Sequence, residues 1–448
     1  MSVRVPRETT TSAIALATLA TLATLAGTER AVSAGGFGIP EIGVRRTGMG
    51  AVIGRPDDPS AVYHNPAGLI LQPGTGLYIS AGLSLLDTEF RLRPWGRSDE
   101  LLGAMPQADG YYAPVRPSRA MGVIPMIAAT YEILPTRLVV GASVYVGNAT
   151  GAAFHDDAVT RYHLIDGYVV APQAVLAAAY RLAPSLTVGA TAGVIQLRVH
   201  GVRELYPIFN GTDLTSYFGE HSRLQLDGKG WAPTWMVGLY GQPHPRVTWG
   251  ATVTGRVDAE LKGPLKITLS DELPDHGMTL DGTQTTKQLL PWAFMGGVNV
   301  DVTDHVELGG ELRYWLYRQY DEQRTAVQGI GIVNELVTVK NYRDSYEVSG
   351  GVRVHDLDFA PALDLMAGAQ YDRSPAPARS VTLDQPSFSH PALHSGLRYR
   401  FGRYRVGASY IHYWYRIPTI EDSITTPPSN IRGHGGNNIF TLSLEASL

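Results

Sequence analysis

GGFGIPEIGVRRTGMGAVIGRPDDPSAVYHNPAGL, residues 35–69, stands between an export signal and a long series of alternating strand candidates. With Gly at 35, 36, 38, 43, 48, 50, 54 and 68, so short a segment buries too little apolar surface to offset its own chain entropy. It has to fold against something larger. The order of the chain reads as plug first, barrel second.

The residues before it set the compartment. Arg4 and Arg7 give a positive start, Ala13 to Ala26 is an apolar stretch of Ala, Leu and Thr, and Val32-Ser33-Ala34 offers small residues for cleavage after Ala34. A membrane anchor is the rival reading, but it needs about 20 apolar residues, and Thr28, Glu29 and Arg30 interrupt this run before that. The chain therefore divides into a signal peptide (1–34), an N-terminal plug (35–74) and a barrel (75–448).

Of 448 residues, 44% are hydrophobic and 17% charged, and the formal net charge of −4 leaves no basic surface for nucleic acid. The absence of Cys excludes disulfides, a lipidated N-terminal Cys and thiolate metal sites. Beyond the signal no apolar run is long enough for a spanning helix, so a membrane-spanning chain of this kind must close its backbone hydrogen bonds as a barrel.

Period-two patterning supports that closure. Leu77, Ile79, Ala81, Leu83 and Leu85 alternate with Tyr78, Ser80, Gly82 and Ser84, and the pattern returns over Leu186–Val194 and Val247–Thr254. The aliphatic set belongs against lipid, because the polar set would be costly there. Short turns at 134–137, 183–185, 242–246, 302–305, 355–363 and 401–403 alternate with longer stretches at 93–117, 149–166, 201–227, 263–287, 319–342, 374–389 and 418–436. That arrangement predicts an all-β fold, a 14-stranded antiparallel transmembrane barrel with short turns and both ends of the wall in the periplasm. Phe440, Leu442, Leu444, Ala446 and Leu448 alternate with polar residues as a closing strand should, although Leu448 departs from the usual terminal aromatic.

The opening GFGIPEIG through TGMG to DDPSAVYHNPAGL resembles the plug of the FadL/TodX family of outer-membrane transporters for long-chain fatty acids and hydrocarbons. Arg161-Tyr162-His163, Gly228-Lys229-Gly230-Trp231, Tyr371-Asp372-Arg373-Ser374-Pro375 and Tyr404 to Tyr415 extend the likeness over almost all of the mature chain. The resemblance implies a monomeric barrel closed by an N-terminal hatch, with apolar small molecules and outer-membrane lipid as partners and no cofactor. It implies capture in a groove between outer loops, passage to a pocket near the mature N-terminus, and sideways release at a kinked strand by passive diffusion.

On this resemblance, the capture groove falls in the third and fourth long loops, with Leu205, Tyr206, Ile208, Phe209, Tyr217 and Phe218 in one and Leu265, Ile267, Leu269, Leu273, Met278 and Leu280 in the other. Exposed apolar clusters suit hydrocarbon binding, and they equally suit loops that only cap the barrel. Gly35, Gly36 and Phe37 would supply the mobile end that reaches the inner pocket, or form a leader with no role. Asn65-Pro66-Ala67 reads as a turn and as the gating contact that seats the hatch, and Gly141 and Gly147 are the candidate kink points of the third strand.

Pro125, Pro172, Pro233, Pro291 and Pro391 lie in the outer parts of returning strands, either at strand starts or at breaks in the ladder. Arg256, Glu307, Glu311, Arg313, Arg398 and Arg400 are assigned to inward faces, where they would pair with one another or orient a ligand head group. No nucleophile elbow, HExxH or phosphate loop is present, and His155-Asp156-Asp157 with His163 reads as hydrogen bonding rather than a metal site, so no enzyme is expected. The alternative to a transporter is a structural or adhesive surface barrel, or a porin for polar solutes.

Overall fold

The computed structural model describes residues 38–118, 121–205, 221–270, 278–331 and 333–448. Fourteen antiparallel strands close on themselves. They are β1 (Thr75–Leu92), β2 (Met121–Leu134), β3 (Leu138–Ala153), β4 (Asp166–Ala183), β5 (Leu186–Glu204) and β6 (Arg223–His244). β7 to β10 each have two parts: Val247–Thr254 and Val257–Thr268, Thr279–Leu290 and Ala293–Asp301, Val306–Trp315 and Glu322–Gln328, Glu335–Val339 and Ser345–Val354. β11 (Leu363–Asp372), β12 (His390–Phe401), β13 (Tyr404–Tyr415) and β14 (Ile431–Ser447) complete the wall. β1 closes it, pairing Gly76 with Thr130 of β2 on one side and with Ser447 of β14 on the other.

The alternation does what its chemistry requires. Leu77 and Ile79 are exposed on the outer face at 40% and 41%, whereas Tyr78 and Ser80 between them are buried. In β14, Phe440, Leu442 and Leu444 face out and Thr441 faces in. Several stretches expected to be loops are strand. β7 runs to Thr268 and β8 starts at Thr279, and β5 and β6 extend to Glu204 and from Arg223, because alternation continues with charged outer positions once the apolar band ends.

Residues 38–72 lie inside the wall. They form α1 (Val44–Met49), α2 (Ala61–His64) and a 3-10 turn (Pro66–Leu71). Gly50, with φ 81°, ends α1 by donating its N–H to the Arg46 carbonyl, a left-handed cap that favours Gly. Asn65 begins the 3-10 turn, its side chain accepting the Ala67 N–H at 3.2 Å while Pro66 occupies the first position. α1 packs on β11, β12 and β13, and the 3-10 turn on β4, β5 and β6, so the segment bridges opposite sides of the barrel. Ile39, Ile42, Val62, Leu69 and Ile70 bury their side chains in the same cluster as wall residues Tyr78, Met126, Val139 and Tyr145.

Candidate functional site

The inner segment is held by polar groups that the wall presents at its level. Asn65 Nδ2 donates to the carbonyls of Ile53 at 3.1 Å and Leu239 at 2.9 Å, tying the turn to α1's exit and to β6 at once. The Glu311 carboxylate accepts the N–H groups of Val52 and Ile53, and Arg313 donates to the same carboxylate at 2.5 Å. Arg45 pairs with Glu307, Arg46 with Glu347, and Arg55 makes a two-pronged contact to Asp301 at 2.6 and 2.8 Å. Asp57 receives Arg398 through both carboxylate oxygens at 3.0 and 2.9 Å, and Arg353 at 2.9 Å. Burial alone would raise the Asp57 carboxyl, but Arg398, Arg45 and Arg353 outweigh it and hold it well below the usual carboxylate range.

The wall leaves room where the segment touches it. A Cβ on Gly238 would collide with Asn65, on Gly250 with the Ile53 carbonyl, and on Gly351 or Gly368 with the Met49 carbonyl. Sequence reasoning took such residues only as small inward positions. Repeated Gly at one inward level was the signal it passed over.

At β3 the wall is interrupted. Pairing between β2 and β3 stops at Met126↔Tyr145, and the β3–β4 register shifts between Val146 and Asn148, a bulge at Gly147. The N-terminal segment takes up the freed edge: Ile39 N–H donates to the Gly147 carbonyl at 2.9 Å, and Gly38 forms a bridge with Asn148. Gly141, in contrast, pairs in regular register with Thr130 and Ala177. Beside the bulge lies a cavity lined by Gly38, Tyr63, Tyr145, Gln173, Thr191 and Met236, among others, enclosing about 770 Å³ of space unfilled by atoms, part of it open to solvent. A second cavity nearer the long loops is lined by Tyr168, His200, Leu224, Leu226 and Thr325.

Of the expected capture residues, Leu265 and Ile267 are buried in β7 with Leu224, Leu269, Val327 and Ile330, and Leu205 and Leu280 pack against them. Met278 is 44% exposed, its carbonyl accepting the Leu269 N–H at 2.9 Å. Gly35, Gly36, Phe37, Ile208, Phe209, Tyr217 and Phe218 lie outside the described residues, as does the signal. One lumen assignment is corrected: Arg256 sits at the break in β7, is exposed and pairs with Asp258. Arg400 keeps the inner-face parity of Arg398, opposite Arg405, but lies at the short-turn end, where it is exposed beside Asp356. Pro125, Pro172, Pro233 and Pro291 fall at interior irregularities, and Pro391 at the start of β12.

Arg161 donates to the carbonyl of Leu101 at 2.6 Å and to Glu204 at 2.9 Å, fastening a short loop helix, α3 (Ser98–Leu102), to β5. His163 beside it is buried, which holds its imidazole down at about 3 and hence neutral. Among the described residues, one group of metal-type donors comes together, Asp301, Glu307 and His355. Arg55 occupies Asp301, and Arg45 and Arg353 occupy Glu307. Those carboxylates are committed to guanidinium groups.

A family model described as outer membrane protein transport protein (OMPP1/FadL/TodX) matches residues 25–444. The chain belongs to that family. Among solved structures, a Pseudomonas aeruginosa FadL homologue is similar with TM-score 0.74 at 15% identity, covering 92% of this chain and 99% of that one. The Pseudomonas putida toluene transporter TodX gives 0.69 at 15%, covering 93% and 100%, and the Ralstonia pickettii toluene transporter TbuX gives 0.66 at 16%, covering 92% and 99%. At such identities the superpositions speak for the OMPP1/FadL/TodX barrel fold alone. No curated protein matches the chain by sequence. Membership makes this an outer-membrane barrel of a transport family, and the wall carboxylates and guanidinium groups at the level of its N-terminal segment are engaged by that segment.

Proposed function

We propose that the protein takes up apolar small molecules, hydrocarbons or fatty acids, through a barrel stoppered by residues 35–74 as a hatch, and releases them sideways into the outer membrane. The observation that carries this reading is the Ile39 N–H bound to the Gly147 carbonyl beside an inner cavity. There the front of the chain covers a gap in the wall between β2 and β3, so a ligand entering the cavity competes with the segment for that edge. The apolar cluster around Leu265 and Ile267 lies towards the long loops and suits capture, with Ile208, Phe209, Tyr217 and Phe218 as further candidates. The names of TodX and TbuX favour aromatic hydrocarbons such as toluene as first substrates to try.

A porin reading is disfavoured by the buried side chains of residues 39–70, which occupy the lumen where a porin holds water. The test is uptake of labelled toluene and of a long-chain fatty acid by cells lacking their own transporter of this family, alongside conductance of the purified barrel in planar bilayers. Uptake above vector controls with low ion conductance is expected. High conductance without uptake would sink the proposal. Gly147→Val, whose side chain would press on Tyr63, Tyr145 and Gln173, should lower uptake while conductance stays low.

A further inference from the structure

The wall is also interrupted between β6 and β7. Their ladder runs from Gly241↔Trp249 to Met236↔Thr254, then resumes with Lys229↔Lys262, shifted by one residue, and continues from Leu226↔Leu265 to Arg223↔Thr268. Gly230 to Trp235 have no ladder partner on the β7 side, although each pairs with β5 on the other. Pro233, in the middle of this stretch, has no N–H to offer. One hydrogen bond, Gly255 N–H to the Trp235 carbonyl at 3.1 Å, crosses at the lower end, and at the upper end the two backbones meet again where Gly230 approaches the Glu260 carbonyl.

The inner cavity reaches this stretch. Tyr63, Tyr145, Thr191 and Arg313 line it from inside, and Trp235 and Gly255 line it from the wall. Trp235 belongs to the outward-facing set of β6, in step with exposed Trp231, Val237 and Leu239. Lumen residues and Trp235, whose side chain belongs to the outer face, thus border the same cavity. The indole folds over Gly255, where any Cβ would collide with it, and meets Trp292 edge to face at 5.5 Å and 80°.

We propose that this stretch is a lateral passage between the inner cavity and the surrounding lipid, with the Trp235 indole as its shutter and an apolar chain or ring as its occupant. The identity of the traveller rests on the uptake reading above, whereas the passage rests on the wall. The β2–β3 gap is covered by backbone, at Gly38 and Ile39, and opens only if the segment moves. The β6–β7 passage is covered by side chains, with the Trp235 indole outermost over small Ala232, Val257 and Ala259, so rotation of the indole about its own bonds opens it.

Because the chain has no Cys, one introduced thiol reports alone. Met236→Cys places it on the cavity side of β6. The probe is a maleimide carried at the tail end of a phospholipid acyl chain in phosphatidylcholine vesicles, each rate being divided by that of a small water-soluble maleimide. Met236→Cys should be labelled from lipid, and adding Trp235→Ala should raise the rate about tenfold, as expected for loss of an aromatic contact. Thr441→Cys, inward-facing where β1 and β14 pair without interruption, should stay unlabelled, and outward-facing Leu239→Cys should label freely. Barrel integrity is read by heat-dependent gel mobility, with Trp235→Leu in place of Ala should that variant fail to fold. The proposal is overturned if Met236→Cys labels no faster than Thr441→Cys, or if removing the indole leaves the rate unchanged. Labelling needs no transport, so a barrel that takes up no hydrocarbon still answers the question.

Discussion

Asn65 Nδ2 donates to the Leu239 carbonyl of β6 at 2.9 Å, and the same amide nitrogen holds the Ile53 carbonyl 12 residues earlier in the chain. One side chain thus fixes the turn to the wall and to the segment it belongs to. Asn65→Asp keeps the size and replaces the donor with a carboxylate facing two carbonyl oxygens. The seat of the segment should weaken by about 1–3 kcal/mol, the usual cost of buried groups left unpaired, seen as raised conductance and faster proteolysis within residues 38–72. Wild-type conductance and cleavage in this variant would contradict the contact.

Gly238→Val puts a branched side chain where Asn65 and Pro66 sit. Outside the lumen nothing changes, so the barrel should still form and show its heat-dependent gel shift. The inner segment should be displaced at a cost of about 1–3 kcal/mol, with conductance rising accordingly.

Glu307 accepts from Arg45 and Arg353 and also from the Asn299 amide at 2.7 Å. Glu307→Ala takes from the buried Arg45 guanidinium its nearest carboxylate and leaves it Asp57 at 3.5 Å, so the loss should approach the lower end of the about 3–5 kcal/mol typical of a broken buried pair. Protease protection of the segment in urea should fall by a matching amount. Arg45→Met combined with Glu307→Met should recover part of the loss, because the stranded charge is gone.

His64 carries the pH dependence of the seat. Its Nε2–H donates to the Ile42 carbonyl at 2.7 Å while Arg313 donates to Nδ1 at 3.4 Å, so the ring is neutral. Burial, then Arg313, lowers it from 6.5 to about 3, with Arg46 acting in the same direction and Glu311 opposing. The seated value lies below the unseated one, so stability is full above about pH 6.5 and is lost progressively as pH falls toward 3. Conductance should rise on acidification through that window. His64→Gln, which cannot gain the proton, should flatten the rise, and an unchanged profile would assign the effect elsewhere.

The wall was legible because period two survives single-residue noise: the faces of Leu77 to Leu85 and of Phe440 to Leu444 are read directly from the chain. Strand length was harder. Lys266 looks like a loop residue in a window, yet it is an outer position of a ladder whose inner positions, Leu261, Leu265 and Ile267, are buried. Asn65-Pro66 announced itself through turn chemistry. The partners of Arg45, Ile53 and Asp57 did not, because Glu307, Glu311, Arg353 and Arg398 are some 250 to 340 residues away from the groups they hold, and no local pattern encodes such a distance. Gly147 and Gly141 were equivalent in the sequence, and what separates them is the end of β2 pairing and the arrival of Ile39.

The guanidinium groups of Arg45, Arg46 and Arg55 find their carboxylates on β8, β9 and β10, which are synthesised long after the segment itself. Sliding these three cations through an already sealed cylinder would move them past Thr and aromatic side chains with their own partners out of reach, a costly route. The lower-cost route is a wrapping process, in which these strands gather around the waiting front of the chain before β1 meets β14. Insertion machinery that stitches this protein into the membrane must leave the final β1–β14 seam open until its contents are aboard.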